Sequence, residues 1–488
     1  MRKWIPLIPI LLGTFMLLID VTIVNVALPT VARDLHTSFS SLQWVVDAYA
    51  LALASLLLAI GALADSLGHR RVYVSGLVLF AAASLCCGLA PGSETLIAAR
   101  VVQGVGGAAM LATTFPLLNA TYSGRDRGMA YGLWGAVAGA SAAIGPVLGG
   151  FLVEWLSWRF VFFVNLPVSI VALGLCFRSV RADAPERSWR VDLPGGATFT
   201  LAAAALTLGL IRTGEHGWSS TTWLLIALSA ASLVVFIVIE LRVAAPLLDL
   251  GLFRSKPFVG TMLAALLLNL TAFAILTYSS IWLQSQLRLS PIEAGLTGLP
   301  IAGMAFVTSA VLGRKLHGAA PGPIIASGMA LIGAGGLVCA LLLGDGSRWP
   351  ALVPGFVLIG VGVGLATPTL SSTAMSAVPA RQAGMAAGAV NTARQLGYAL
   401  GIAALGTIVS AGAAASLRGG AQAADADSTA HNLVGGQAPR LLARAGSGRA
   451  LLDTALRAAE VHGLVRAFLA VGIAGVVTAV AVFLLVRR

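Results

Sequence analysis

Charged residues are scarce in this sequence, and their scarcity excludes whole classes of protein. Only 10% of the 488 residues are charged, 58% are hydrophobic and the mean hydropathy is +0.91. Soluble domains have about 25% charged and about 45–50% apolar residues. A soluble enzyme or binding domain is therefore excluded, and lipid is the expected solvent for most of the chain.

The sequence also contains few cysteines and no nucleotide-binding motif. Four cysteines, Cys86, Cys87, Cys176 and Cys339, lie in apolar blocks without C-x-x-C spacing or a companion histidine, so neither disulfides nor a metal site is expected. No P-loop is present, which excludes ATP as the direct energy source. The 31 basic residues lie between apolar blocks and form no nucleic-acid face. We expect no cofactor and no nucleic-acid partner.

Apolar blocks long enough to cross about 30 Å of hydrocarbon as helices fill most of the chain. The first follows Arg2 and Lys3 as a signal peptide would, but it is too long, contains Asp20 and Asn25 and lacks a cleavage site, so it is interpreted as a span. The sequence predicts an all-α polytopic membrane protein with fourteen spans, at 4–29, 42–62, 72–90, 94–117, 131–153, 159–178, 193–212, 221–240, 257–283, 294–313, 321–343, 350–371, 385–411 and 462–486.

The distribution of Lys and Arg predicts the orientation. With the N-terminus inside, cytoplasmic segments hold eighteen of these residues and the short outer loops hold five. Both termini of this multi-pass protein are therefore expected in the cytoplasm of a bacterial cell, with the chain in the plasma membrane. The long loop 412–461 then lies outside, either partly disordered or as a short outer helix.

An internal repeat organises the spans. Residues 104–150 match 360–406 at twelve of forty-seven positions without gaps, against roughly four expected by chance. The offset of 256 residues places the two copies eight spans apart and pointing the same way. This parallel duplication predicts two six-span bundles, 1–178 and 257–488, joined by a linker with two extra spans at 179–256.

Ionisable side chains inside the spans are the strongest functional signal. Asp20 lies near the middle of span 1, where a carboxylate costs about 2.5–3.5 kcal/mol on insertion scales. Burial penalises the charged form, which suits the group to proton exchange. Arg100 in span 4 and Asp47 in span 2 lie at similar depths, so the three are proton-coupling candidates for one cavity. The alternatives are a structural hydrogen bond to a neighbouring helix for Asp20, a purely structural pair for Arg100 and interfacial solvation for Asp47.

Other polar and small residues in the spans are candidates for cargo binding and gating. Asn25, Gln103 and Arg394 are substrate-cavity candidates, and Arg394 alternatively makes a structural bond between helices. Glycine and proline in span 5 permit close contact and bending at a moving interface, although both are common in membrane helices generally. These gating candidates are Gly139, Gly145, Pro146, Gly149 and Gly150.

The short cytoplasmic loop 61–71 carries both signs of charge. Membrane topology explains Arg70 and Arg71 but not Asp65, because acidic residues contribute little to orientation. A salt-bridge latch between helices is the alternative interpretation of this loop.

Together these segments resemble the major facilitator superfamily, and within it the fourteen-span drug:proton antiporters. The resemblance implies that Asp20 and Arg100 couple protons, that Asp65 and Arg71 latch the inward gate, and that Gly145 and Pro146 control the interface between the halves. Ser66 departs from the loop motif, which commonly has arginine there. The similar segments are 18–29 in span 1, the loop 61–71, 100–104 in span 4, 139–150 in span 5 and 158–167 at the start of span 6.

The segment 44–49 is similar to antibiotic-efflux members such as the methylenomycin A resistance protein. The expected function is therefore secondary transport, not enzyme catalysis: a monomer exports small amphipathic drugs or antibiotics in exchange for protons and is driven by the proton gradient. An importer on the same fold is disfavoured by the span 5 motif. A membrane-embedded transferase would need a catalytic His/Asp cluster, and a receptor would need a signalling domain; neither is present in the sequence.

Overall fold

The structure is a computed structural model, and its helices account for nearly all of the residues that it describes. These residues are 2–37, 39–180, 192–216, 218–244, 246–315, 320–378, 383–419, 425–443 and 449–486. Within these ranges there is no strand. Most of the polar linker predicted before the two extra spans, residues 181–191, lies outside them.

The helices are numbered in chain order. They are α1 (Leu7–Asp34), α2 (Phe39–Leu67), α3 (His69–Gly88), α4 (Ser93–Thr121), α5 (Gly124–Trp155), α6 (Phe160–Phe163), α7 (Asn165–Ser179), α8 (Leu193–His216), α9 (Ser220–Glu240), α10 (Lys256–Leu268), α11 (Ala274–Ser285), α12 (Pro291–Leu296), α13 (Leu299–Lys315), α14 (Pro321–Leu342), α15 (Val353–Ser376), α16 (Ala383–Leu417), α17 (Ala426–Val434), α18 (Ala438–Ala443) and α19 (Arg449–Leu485).

Twelve helical segments within the described residues are long and apolar enough to cross a membrane. The other two predicted spans correspond to α2 and α5, which have 29 and 32 residues but shorter described apolar stretches at Ser41–Leu57 and Ile144–Trp155. The protein is therefore a multi-pass helical membrane protein. The count of fourteen spans, and the division into two bundles and a linker, stay predictions.

Glycine contacts repeat between the two copies of the duplicated sequence. A Cβ atom on Gly76 of α3 would lie 2.9 Å from the carbonyl oxygen of Gly106 in α4. A Cβ atom on Gly328 of α14 would lie 2.7 Å from the carbonyl oxygen of Gly362 in α15. Gly106 and Gly362 are partners in the repeat, so equivalent glycines bring equivalent helix pairs into backbone contact.

The predicted ninth span is interrupted where it faces α16. Residues Asn269–Phe273 form a π-helical turn between α10 and α11. There α16 approaches closely, because a Cβ atom on Gly401 would lie 2.8 Å from the Cα atom of Leu270. Single π-helical turns inside α-helices are frequently found at functional sites.

The predicted outer loop contains more helix than the sequence indicated. Helix α16 continues to Leu417, and α19 begins at Arg449 rather than at the predicted residue 462. The amphipathic helices α17 and α18 pack between these extensions through buried apolar residues such as Leu433, Leu442 and Leu456. Apolar residues at helical spacing give this region a small apolar core of its own, so residues 425–443 are ordered by packing.

Candidate functional site

The structure brings Asp20 and Arg100 together in the interior of the predicted first bundle. Nη1 of Arg100 lies 2.5 Å from Oδ2 of Asp20, and the two side chains are 1% and 0% exposed. They lie on α1 and α4, which sequence placed at matching depth. In a buried ion pair of this kind each charge stabilises the other, so removing either one leaves an uncompensated buried charge.

Amide and hydroxyl groups complete the surroundings of Asp20. Nε2 of Gln103 donates to Oδ1 of Asp20 at 2.9 Å, and Nδ2 of Asn165 donates to the same oxygen at 3.2 Å. Both amides also donate to Oγ of Ser84, at 2.9 and 3.3 Å. Four helices therefore supply one connected network, which we call the Asp20 network: Asp20, Ser84, Arg100, Gln103 and Asn165.

The guanidinium group of Arg100 is held on its remaining sides. Its Nε donates to the carbonyl oxygen of Val45 at 2.9 Å, and its Nη1 donates to Oε1 of Gln103 at 2.8 Å. The rings of Tyr49 and Phe162 lie 4.2 and 5.9 Å from its central carbon. Aromatic faces attract a desolvated cation, so α2 and α6 help to stabilise the arginine in an apolar interior.

Asp47 lies outside the Asp20 network. It is fully buried on α2, and neither carboxylate oxygen has a hydrogen-bond partner among the described residues. Its surroundings include the phenol groups of Tyr278 and Tyr398 from the second bundle. An ionised carboxylate is costly to bury without partners, so Asp47 is expected to carry a proton in this arrangement. Asp47 makes no hydrogen bond to the Asp20 network among the described residues, and a cavity shared by Asp20, Arg100 and Asp47 stays a prediction.

Asn25 connects the two predicted bundles. Its Nδ2 donates to Oη of Tyr398 in α16 at 3.0 Å, and its Oδ1 accepts from Oγ1 of Thr277 in α11 at 3.1 Å. Nearby, Nε2 of Gln43 donates to Oη of Tyr278 at 3.3 Å. Asn25 was a substrate-cavity candidate; the structure places it in a buried junction between the halves. Gln103, another such candidate, lies in the Asp20 network.

The glycines of span 5 face two different partners. Gly145 and Gly149 pack against α1 within the first bundle, whereas Gly150 packs against α12 of the second. A Cβ atom on Gly150 would lie 2.5 Å from the Cα atom of Ile292. Pro146 also faces α12. This part of α5 therefore forms the contact between the predicted halves. Gly139 also lies in α5, but its surroundings are outside the described part of the structure.

The remaining sequence candidates lie away from the Asp20 network. Nη2 of Arg70 donates to the carbonyl oxygen of Phe177 at 3.1 Å, and Arg71 is exposed. Asp65 lies in α2, but its side chain is outside the described part of the structure, so the latch stays a prediction. Arg394 lies on α16, one turn before Tyr398, without a hydrogen bond or ion pair to any described side chain.

Sequence reasoning missed several of these residues. Ser84 and Asn165 join the Asp20 network, and Tyr398 joins Asn25. Glu460, which sequence placed in the outer loop, is 2% exposed in α19 with Oγ of Ser285 at 3.4 Å. Each is a polar residue within an apolar stretch, which was the available signal. No group of three or more potential metal ligands occurs among the described residues, and the expectation of no cofactor stays a prediction.

Comparison with known proteins identifies the fold and its relatives. Residues 10–402 match the family described as Major Facilitator Superfamily. The chain is 38% identical to the cephamycin export protein of Amycolatopsis lactamdurans over 82% of this chain and 84% of that protein. It is 33% identical to the methylenomycin A resistance protein of Streptomyces coelicolor, over 81% and 84%. A solved bacterial homologue of the human lysosomal transporter Spinster, inward-facing and unoccupied, superposes with a TM-score of 0.66 at 16% identity, covering 100% of this chain and 97% of that one.

Proposed function

Because the chain belongs to the major facilitator superfamily, a family of transporters, we propose that it exports small drugs or antibiotics from a bacterial cell in exchange for protons. The relatives named for antibiotic export and resistance support the direction and the cargo class. The observation that carries the proton coupling is the buried pair of Asp20 and Arg100. The proposed form is a monomer in the plasma membrane, with both termini in the cytoplasm and without a cofactor.

Proton binding at Asp20 would change the charge balance of the first bundle. In the ionised state, the carboxylate compensates the guanidinium in a place with almost no access to solvent. Protonation removes that compensation, and breaking a buried pair costs about 3–5 kcal/mol. A rearrangement that gives Arg100 a new partner or access to water therefore lowers the free energy of the protonated state. This links the proton to a conformational change, as exchange requires.

The contacts between the bundles indicate what must move. Asn25 bonds across the seam to α11 and α16, and Gly150 touches the backbone of α12. All these contacts lie toward the ends of the helices that sequence places outside. We propose that they hold the outer side closed and separate when cargo leaves. Pro146, Gly145 and Gly149 would set the packing of α5 on either side of this contact.

Two further ionisable residues have proposed parts in the cycle. Asp47 has no hydrogen-bond partner among the described residues and lies near Tyr278 and Tyr398, which suits it to carry a second proton whose release depends on the separation of the halves. Arg394 lacks an ion-pair partner among the described residues and lies on the helix that also carries Tyr398. We propose that it attracts anionic or strongly accepting groups of the cargo.

The test uses inverted membrane vesicles, in which an exporter moves cargo inward. With an acid-inside gradient, the wild-type chain should accumulate substrates from a panel of antibiotics and lipophilic cations. Asp20→Asn should abolish gradient-driven accumulation while keeping substrate binding. Asp34→Asn is the matched control, since Asp34 is on the same helix but its side chain is 48% exposed. Gradient-driven accumulation that survives in Asp20→Asn would remove the coupling role, and loading only with the opposite gradient would indicate an importer.

A further inference from the structure

Every partner of the Asp20 carboxylate in the structure is a hydrogen-bond donor. Oδ2 receives Nη1 of Arg100, and Oδ1 receives the amide nitrogens of Gln103 and Asn165. An ionised carboxylate only accepts hydrogen bonds, so this arrangement fits the ionised form. The protonated form is different, because its O–H group needs an acceptor in the same buried place.

Within the Asp20 network, one side-chain oxygen receives no hydrogen bond from the described residues. Arg100 has donors alone. Oε1 of Gln103 already accepts from Nη1 of Arg100 at 2.8 Å. Oδ1 of Asn165 is buried and has no partner among the described residues. Asn165 is itself 1% exposed, so solvent does not satisfy this oxygen directly.

A half-turn of the Asn165 amide would exchange its two ends in nearly the same volume, because the oxygen and nitrogen of an amide are similar in size. Oδ1 would then occupy the position now held by Nδ2, 3.2 Å from Oδ1 of Asp20 and 3.3 Å from Oγ of Ser84. The hydroxyl hydrogen of Ser84 has no acceptor among the described residues. It could therefore donate to the turned amide, as could the new O–H group of Asp20.

We propose that Asn165 is a positioning residue that turns its amide to accept a hydrogen bond from protonated Asp20. The proposal rests on the proposed role of Asp20 in proton exchange. Asn165 is the first residue of α7, directly after the break at Val164 that separates α6 from α7. A change in the protonation of Asp20 on α1 thereby changes a hydrogen bond at the start of predicted span 6.

The titratable and charged groups near Asp20 come from three other elements. They are Arg100 on α4, Cys87 on α3 and Tyr49 on α2. Helix α7 contributes only the neutral amide of Asn165 to this network. A change at Asn165 therefore alters hydrogen bonding to Asp20 without altering the charge around it.

The test is the pH profile of proton-driven uptake into proteoliposomes containing the full chain. Asn165→Leu removes the bond donated to ionised Asp20, which keeps Arg100 and Gln103 as donors, and also removes the acceptor for protonated Asp20. The second loss is the larger one, so the midpoint for proton uptake should move to lower pH by about one unit, a tenfold change in proton affinity. A midpoint that moves to higher pH would mean that Asn165 acts only as a donor to the carboxylate. An unchanged midpoint would mean a structural role alone. Either outcome overturns the proposal.

Ser169→Ala is the matched control, because Ser169 is buried one turn further along α7 and contacts Met16 of α1 rather than Asp20. Its midpoint should equal that of the wild type. Asn165→Thr, whose hydroxyl group can donate and accept, should reverse much of the shift seen with leucine. A threonine variant with the same midpoint as the leucine variant would contradict the hydrogen-bond explanation.

A measurement on the unmutated sequence covers the case in which the leucine variant does not fold. Infrared difference spectra on acidification, with isotope-labelled asparagine, should show a shift of an asparagine C=O band together with a new carboxyl band. Asp20→Asn should abolish both. A carboxyl band without the asparagine shift overturns the role of Asn165 and leaves Asp20 in place, whereas proton-driven transport by Asp20→Asn overturns the proposed function itself.

Discussion

Replacing Gly150 with alanine is expected to weaken the contact between the two halves at their outer ends. The added Cβ atom would lie 2.5 Å from the Cα atom of Ile292 and 2.6 Å from the carbonyl oxygen of Pro291. Both neighbours are backbone atoms of the second bundle, so no flexible side chain can move aside. Gly149→Ala is the matched control, because Gly149 faces Ile23 within the first bundle.

The magnitude follows from the distances. Ordinary contacts of a Cβ atom begin at 3.4 Å, so the halves must separate by about 1 Å to accept the new atom. Overpacking of this kind costs about 1–3 kcal/mol. The cost applies only while the outer ends are closed, so the ratio of outward-open to outward-closed molecules should rise by about 5- to 150-fold.

Pulsed electron paramagnetic resonance measures this ratio. Spin labels replace Arg33 and Arg288, which lie on the two halves and line an outer cavity of about 440 Å³, in a background without native cysteines. Gly150→Ala should increase the long-distance population, and Gly149→Ala should lower stability without changing the distances. Equal distance distributions in the wild type and in Gly150→Ala would refute the assignment of this contact as the outer closure.

Three other predictions concern single side chains. Asn25→Ala removes two bonds across the seam, each worth about 0.5–1.5 kcal/mol, so the same labels should report more outward-open protein; an unchanged distribution would exclude Asn25 from the closure. Asp47→Asn should fold normally, because the carboxyl group has no hydrogen-bond partner among the described residues, but should exchange fewer protons per drug; an unchanged stoichiometry in a dual-flux assay would exclude a second proton. Arg394→Gln should weaken binding of acidic cargoes about tenfold more than binding of neutral ones, and equal weakening would leave Arg394 a structural role.

The depth of residues in the membrane was predictable from sequence, because it follows from counting along a helix. Asp20 and Arg100 were placed at similar depths in spans 1 and 4, and the structure shows them in contact. The repeat likewise matched Gly106 with Gly362, and both pack on the helix that precedes them. Periodic apolar blocks and charge patterns carry this information directly.

The direction in which each side chain points was not predictable in the same way. Asp47 has the right depth for the Asp20 network but makes no hydrogen bond to it among the described residues. Asn165 reaches Asp20 from a helix 145 residues further along the chain. Such contacts depend on how helices rotate and pack, and spacing along one helix does not determine its neighbours. The start of α19 was missed because its first turns are too polar to count as a span.

In the proposed mechanism Asp20 carries the proton that is exchanged for cargo, and this role can be measured as proton release on drug binding. Purified protein in weakly buffered detergent solution is mixed with a transported drug while a pH indicator records the proton change. Wild-type protein and Asp34→Asn should release protons on binding, whereas Asp20→Asn should bind the drug with a much smaller release. Full proton release by Asp20→Asn at equal drug occupancy would contradict the claim.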